Sequence, residues 1–431
     1  MAIIQGLDDV ATYFHQGCKS PDSLAIGTEW ERILYDGETF TRLNYSQICK
    51  TFDFFQADGW QPVWEGNNRI ALKKDGNSIS LEPGGQLELS AKTFASMQEV
   101  ADSLSAFDAL LSQCAQEHNF ILTSFGFDPV SSRDEVTTMP KQRYGIMTKY
   151  MQQVGTLGLD MMHRTATVQA NLDYTSEEDF IRKMRVALGL SPIIAALFAN
   201  SPAHGYKDYR AHIWHHTDND RCGILPFAFE DGFGFERYAA YLLDVPMYFV
   251  IRDGQYIDMA GQSFQDFLAG KLPGLAEERP SLTDLEDHMS TAFPEVRLKQ
   301  FLETRSADSG PLHHAIAIPA LWAGILYNQD VLNLQYDRVM DWTQEDRTFM
   351  WQTLPKAGLD LEFRGQPLWT IAEQVFEALE PSTHLNYLKQ IIESRQTLGD
   401  KMVSIFSKDK KAILAATNEA LPHNQRQSFC L

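Results

Sequence analysis

Cysteine is scarce in this chain: five among 431 residues, at Cys18, Cys49, Cys114, Cys222 and Cys430, with no Cys-x-x-Cys pair. That spacing excludes a disulfide framework and suits a reducing compartment. A basic excess is also lacking, with 37 Lys+Arg against 57 Asp+Glu and a formal net charge of −20. Nucleic acid and anionic membranes are thereby excluded as partners, because both need a basic footprint. A local basic pocket for a small anion stays open. No long hydrophobic run occurs. The longest apolar stretch, 188–199, is too short to span a bilayer and contains Ser191 and Pro192. The first residues, Met1 to Asp9, lack the basic start and apolar core of a secretory leader. The expectation is a cytoplasmic protein.

Several nucleotide and hydrolase signatures are missing as well. There is no G-x-x-x-x-G-K-[ST] loop, no G-x-G-x-x-G, no H-E-x-x-H and no G-x-S-x-G. A chain of this kind that uses ATP must do so without a P-loop, through acid-held metal ions that bridge the phosphates. What remains is an ordinary globular composition, 44% apolar and 22% charged. No repeat, low-complexity segment or Pro/Gly/Ser linker divides it. The expectation is one catalytic domain over 1–431, mostly helical from about 311 onward. Strands and helices in irregular order predict an α+β fold with an antiparallel sheet carrying the site.

Periodicity predicts a strand over 24–35 and a second over 79–90, bent at Pro83-Gly84-Gly85. A helix is expected over 94–118 with Thr93 as its N-cap. The clearest strand is 164–173: Ala166, Val168, Ala170 and Leu172 alternate with Thr165, Thr167, Gln169, Asn171 and Asp173. Ser176 then caps a helix running to about Asn200, with a break expected near Pro192.

Acids and amides mark the candidate site. Glu29 and Glu31 are two apart on a strand and share a face. Glu82, Gln86 and Glu88 sit on an apolar segment around Pro-Gly-Gly, where unpartnered carboxylates are costly and Mg²⁺ is the usual partner for clustered oxygen donors. Gln169 and Asn171 lie on the polar face of 164–173. Candidate anion-binding cations are Lys141, Arg143, Arg164, Arg210, Arg221, Arg297 and Lys299, with Glu303 and Arg305 following. Tyr144, Trp214 and Tyr248 are candidate pocket aromatics. His212, His215 and His216 lack further zinc ligands.

At these residues the chain resembles the plant-type glutamate–cysteine ligases, also found in proteobacteria. The matching segments are Ile26-Gly27-Thr28-Glu29, Leu81 to Ser90, Met139 to Tyr144, Gly158 to Met162, Val168 to Asp173, Ala199 to Pro202, Asp244 to Tyr248 and Phe293 to Lys299. The resemblance implies a glutamine-synthetase-like catalytic fold, a curved and mainly antiparallel sheet flanked by helices. It implies that ATP phosphorylates the γ-carboxylate of L-glutamate and that the L-cysteine amine displaces the phosphate, the first step of glutathione synthesis. It further implies Mg²⁺ on Glu29, Glu31, Glu82 and Glu88, with Glu82, Glu88 and Arg210 catalytic. Arg210, Gln169, Asn171, Trp214 and Tyr248 would bind substrate, and Arg297, Lys299, Arg164 and Lys141 the nucleotide. A monomer or homodimer is expected. The chain departs from the family pattern at Trp30, Arg32 and Ala166, at Ser306 in Arg305-Ser306-Ala307-Asp308, and at Ala101 and Met259, where plant members carry regulatory cysteines. Two alternatives stay open: a γ-glutamyl ligase for another amine, and a non-catalytic glutamate- or nucleotide-binding relative.

Overall fold

In a computed structural model that describes residues 3–421, the chain folds around a nine-stranded antiparallel sheet with helices against it. Strand β1 (Ile26–Asp36) runs through the middle. The strands β2 (Gln61–Glu65), β3 (Asn68–Lys74), β4 (Asn77–Leu81) and β5 (Leu87–Ser90) form a meander that joins β1 through β5. Strand β6 (Phe120–Thr123) pairs the far half of β1, and β7 (Val168–Leu172) pairs its near half. The hairpin Val296–Leu298 and Leu302–Thr304 extends the sheet beyond β7. Cys430, like Met1 and Ala2, lies outside the described residues.

The period-2 pattern decides which side faces the core. Trp30, Leu89 and Val168 meet across β5, β1 and β7 and point to the helices. There the helices Met97–Glu117 and Leu312–Leu326 cover them. Trp30 is fully buried, its ring 6.0 Å from Phe107 and its Nε1 donating to Gly310 O at 3.1 Å. Burying side chains of this size contributes about 1.5–3 kcal/mol each. Arg32 shares this apolar face. It is tolerated because Asp108, at 2.5 Å, and Glu419, at 2.8 Å, neutralise it.

Four local expectations are corrected. The segment 79–90 is not one bent strand but a hairpin, β4 and β5, whose turn holds Glu82 to Gln86. Gly85 takes a φ of 80°, and a Cβ on Gly84 would lie 2.3 Å from His163 O, so both turn positions require glycine. The helix expected from Thr93 is capped instead by Ser96, in a capping box with Glu99, because Phe94 stays extended to pair with Ile26. The strand expected over 164–173 is shorter, since Arg164 ends the helix Gly158–Arg164. Pro192 does not break the helix Glu177–Leu197, whose residues 186–197 are all buried; packing overrides the proline there. Ser176 does cap that helix, its side chain accepting from Asp179 N–H.

Candidate active site

The other face of the sheet is polar, and strand register alone brings its residues together. Glu31 stands opposite Glu88, and Glu29 opposite both Ser90 and Gln169. Glu303 stands opposite Asn171 on one side and Arg297 on the other. These residues floor or flank a cavity of about 320 Å³ lined by Glu29, Glu31, Glu82, Glu88, Gln86, Gln169, Arg143, Arg210, Trp214, Arg297, Lys299 and Arg305.

One wall is acidic. Burial first, then the charges of Glu303 and Glu88, pushes Glu29 up to about 7, although Asn171 donates to its Oε1 at 3.1 Å. Burial, then Glu88 and Glu82, raises Glu31 well above the usual carboxylate range against the Thr167 N–H, which donates to its Oε2 at 3.1 Å. Burial, then Glu82, pushes Glu88 up to about 7, with the Ser90 hydroxyl donating at 3.1 Å. Glu82 sits in the β4–β5 turn, its N–H bonded to Gln86 O at 2.9 Å.

The opposite wall is basic and organised by Glu303. Burial favours its neutral form, but Arg297, Lys299 and Arg305 outweigh burial and hold Glu303 well below the usual range. Arg297 grips it at 2.6 and 2.9 Å, Lys299 at 2.8 Å and Arg305 at 2.6 Å. Arg305 also donates to Gln169 Oε1 at 2.8 Å. Arg210 rises from the helix Tyr209–His215 and donates to Ser306 O and Arg305 O at 3.1 and 2.9 Å. Its guanidinium lies 5.7 Å and that of Arg305 5.5 Å from the Trp214 ring.

The structure therefore brings Glu29, Glu31, Glu82, Glu88, Gln169, Arg210, Trp214, Arg297 and Lys299 to one cavity. The same lining holds Gln86, Arg143, Tyr144 and Arg305, whereas Arg164, Tyr248, Arg221, Asn171 and Lys141 lie outside it. Arg164 faces away, paired to Asp160 one helical turn back at 3.0 Å and donating to Asp128 O, because it closes a helix rather than opening a strand. Tyr248 is core, packed under Arg221 at 4.0 Å with its hydroxyl on Met151 Sδ. Arg221 is itself tied to Asp218. Asn171 touches the cavity only through Glu29. Lys141 stands outside the lining, half-buried with its ammonium 5.4 Å from the Tyr144 ring. Burial lowers its ammonium, opposed by the charge of Glu82. Reasoning from sequence named Glu303 and Arg305 beside Arg297 and Lys299 but gave them no role in the site, and it gave none to Thr167. The signal was there for two of them: Glu303 and Arg305 continue the two-residue alternation.

A family model described as glutamate-cysteine ligase family 2 matches residues 25–379. The chain belongs to this family. Among similar members, the chloroplastic glutamate–cysteine ligase of Arabidopsis thaliana is 42% identical over 415 residues, 93% of this chain and 80% of that protein. The Brassica juncea enzyme is 41% identical over 415 residues, 93% and 81%. Chloroplastic glutamate–cysteine ligase B of Oryza sativa subsp. japonica is 44% identical over 376 residues, 86% and 76%. The fold is shared with a crystal structure of glutamate–cysteine ligase from Francisella tularensis in complex with AMP, at a TM-score of 0.54 and 11% identity over 94% of this chain and 90% of that one. The cytoplasmic expectation is corrected by these relatives: the plant family members are chloroplastic and point to the plastid rather than the cytoplasm.

Proposed function

We infer that this family 2 chain is an ATP-dependent glutamate–cysteine ligase, joining the γ-carboxylate of L-glutamate to the amine of L-cysteine to give γ-glutamylcysteine, ADP and phosphate. The observation that carries this reading is the divided charge of one cavity, with four carboxylates facing Arg210, Arg305 and Lys299. An acyl phosphate of the γ-carboxylate is the intermediate that chemistry requires, since an amine does not displace oxide from a free carboxylate.

The residue roles are part of the same proposal. Arg210 receives the α-carboxylate of glutamate, with Gln169 and Trp214 beside it. Lys299 and Arg305 face the anionic phosphates. Arg297 donates to Ser290 O, Ala292 O and both oxygens of Glu303, so its task is to hold Glu303 rather than a ligand. The acids suit Mg²⁺. They are hard oxygen donors, and burial and mutual repulsion raise three of them, a strain that a divalent cation removes. Among the described residues no three His, Cys, Asp or Glu converge to hold an ion alone. Mg²⁺ does not need three, because it takes one or two carboxylates and completes its octahedron with water and phosphate oxygens. When bound, it would offset charge on the phosphoryl group. Helix Leu312–Leu326 backs the same sheet that carries the acids, which supports treating 1–431 as one catalytic domain.

The test is phosphate release from ATP and Mg²⁺. Release that requires both glutamate and cysteine supports the ligase. Release with glutamate and another amine, but not cysteine, overturns the acceptor assignment.

A further inference from the structure

Behind the cavity wall formed by Arg210, three buried polar atoms have no hydrogen-bond partner among the described residues: Arg210 Nε, Asp208 Oδ2 and Asp308 Oδ1. They belong to one knot of side chains. Asp208 caps the helix that carries Arg210, its Oδ1 accepting from Ala211 N–H at 2.8 Å and lying 3.2 Å from Ser201 Oγ. Ser201 Oγ in turn accepts from Arg210 N–H at 3.1 Å. From the other side, Asp308 Oδ2 accepts from Asn200 N–H at 2.6 Å, and its Oδ1 stands 4.0 Å from Arg210 Nη1. Asp308 is wedged against backbone: a Cβ on Gly126 would lie 2.2 Å from its Cγ. Neither aspartate lines the main cavity.

A buried guanidinium needs an opposing charge and a fixed direction. The charged groups facing Arg210 are Asp308, Asp208, Glu31 and Glu295. Glu31 belongs to the acidic wall, and burial raises Glu295 above the usual carboxylate range against the charge of Arg210. Burial, then the charge of Asp308, pushes Asp208 well above the usual range, whereas burial lifts Asp308 only to about 6 against the pull of Arg210. Asp308 is the member of the pair that stands within ion-pair distance of the Arg210 guanidinium.

The geometry points to Asp308, with Ser201 and Asp208, as positioning residues for Arg210: they set the direction in which the guanidinium meets an incoming carboxylate, and hence the affinity for the amino-acid donor. This rests on the reading that Arg210 receives the glutamate α-carboxylate.

Two variants test it. Asp308→Asn keeps the shape and an acceptor for Asn200 N–H but removes the charge; Ser201→Ala removes the hydroxyl between the helix cap and Arg210. The KM for glutamate should rise about tenfold in the first and about threefold in the second, with the KM for ATP and for cysteine within about twofold of the parent. On an Arg210→Ala background, Asp308→Asn should add nothing to the glutamate KM, because the residue it acts through is gone. Equal rises in all three KM values, or a full further rise on that background, overturn the proposal. If circular dichroism shows that Asp308→Asn does not fold, Ser201→Ala decides by the same criteria. If Arg210→Ala leaves the glutamate KM unchanged, the carboxylate assignment has failed and the positioning role falls with it. Failure of positioning alone leaves the Arg210→Ala effect in place.

Discussion

Glu31 on β1 and Glu88 on β5 stand directly opposite each other on the same face of the sheet, two carboxylates in register. Like charges so placed destabilise a strand pair. An arrangement that works against folding supports the reading of an acidic wall built for a ligand.

Replacing Glu88 with Gln should therefore separate stability from activity. The ligand-free protein should gain about 1 kcal/mol, because a buried repulsion is removed while Ser90 keeps an acceptor. Phosphate release should fall by about a thousandfold. Thermal unfolding and a phosphate assay on the same sample check both. A variant that is less stable and fully active would contradict the acidic-wall reading.

Stability of the ligand-free protein should fall as pH rises. Glu29 and Glu88 have folded pKa values raised from 4.5 to about 7, so their protonated forms are favoured by the fold. Their contribution is fully present below 4.5 and is lost through about 7. Glu303 has the opposite sign: it is held well below 4.5, so its contribution is present above that value and lost in acid. Melting temperature followed between pH 4.5 and 8 should decline, and adding Mg²⁺ and ATP should flatten the decline.

Arg305 and Arg297 should behave differently although both touch Glu303. In Arg305→Ala, Arg297 and Lys299 still neutralise Glu303, so the fold should hold while turnover collapses. In Arg297→Ala, Ser290 O and Ala292 O lose their donor and Glu303 loses its bidentate partner, so stability should drop by about 3 kcal/mol. Urea unfolding beside the phosphate assay distinguishes them.

Gly84→Ala should cost about 2 kcal/mol and most of the activity, because the new methyl meets the His163 carbonyl and pushes the turn that carries Glu82. Denaturant midpoint and phosphate release are the readouts.

Tyr248→Phe should leave all three KM values and kcat within about twofold of the parent, since its hydroxyl reaches only Met151 Sδ at 3.8 Å, away from the cavity. A large rise in any KM would return Tyr248 to the binding site.

Much of the site was legible along the chain because strand side chains alternate. That rule put Glu29 with Glu31 on one face, Gln169 with Asn171 on the polar side and Val168 with Ala170 on the apolar side. It failed at 79–90, where a turn interrupted the phase, and at Arg164, where a helix ended just before the strand began. Local capping chemistry read correctly at Ser176 and misread Thr93, because a backbone bridge from Phe94 to Ile26 kept the chain extended for three more residues.

The amino-acid sequence by itself determined the α+β class, the acidic character of one sheet face and the segments that match the family, since period, composition and motif order are local properties. Tertiary structure alone decided which cations meet those acids. Pairing of β1 with β5 and with β7, and of β7 with Leu302–Thr304, joins residues far apart in the chain, and no local rule specifies that register. That register, not proximity in the sequence, brings Arg305 to Gln169; Arg164 is turned away because it closes a helix, and Tyr248 because it packs in the core under Arg221.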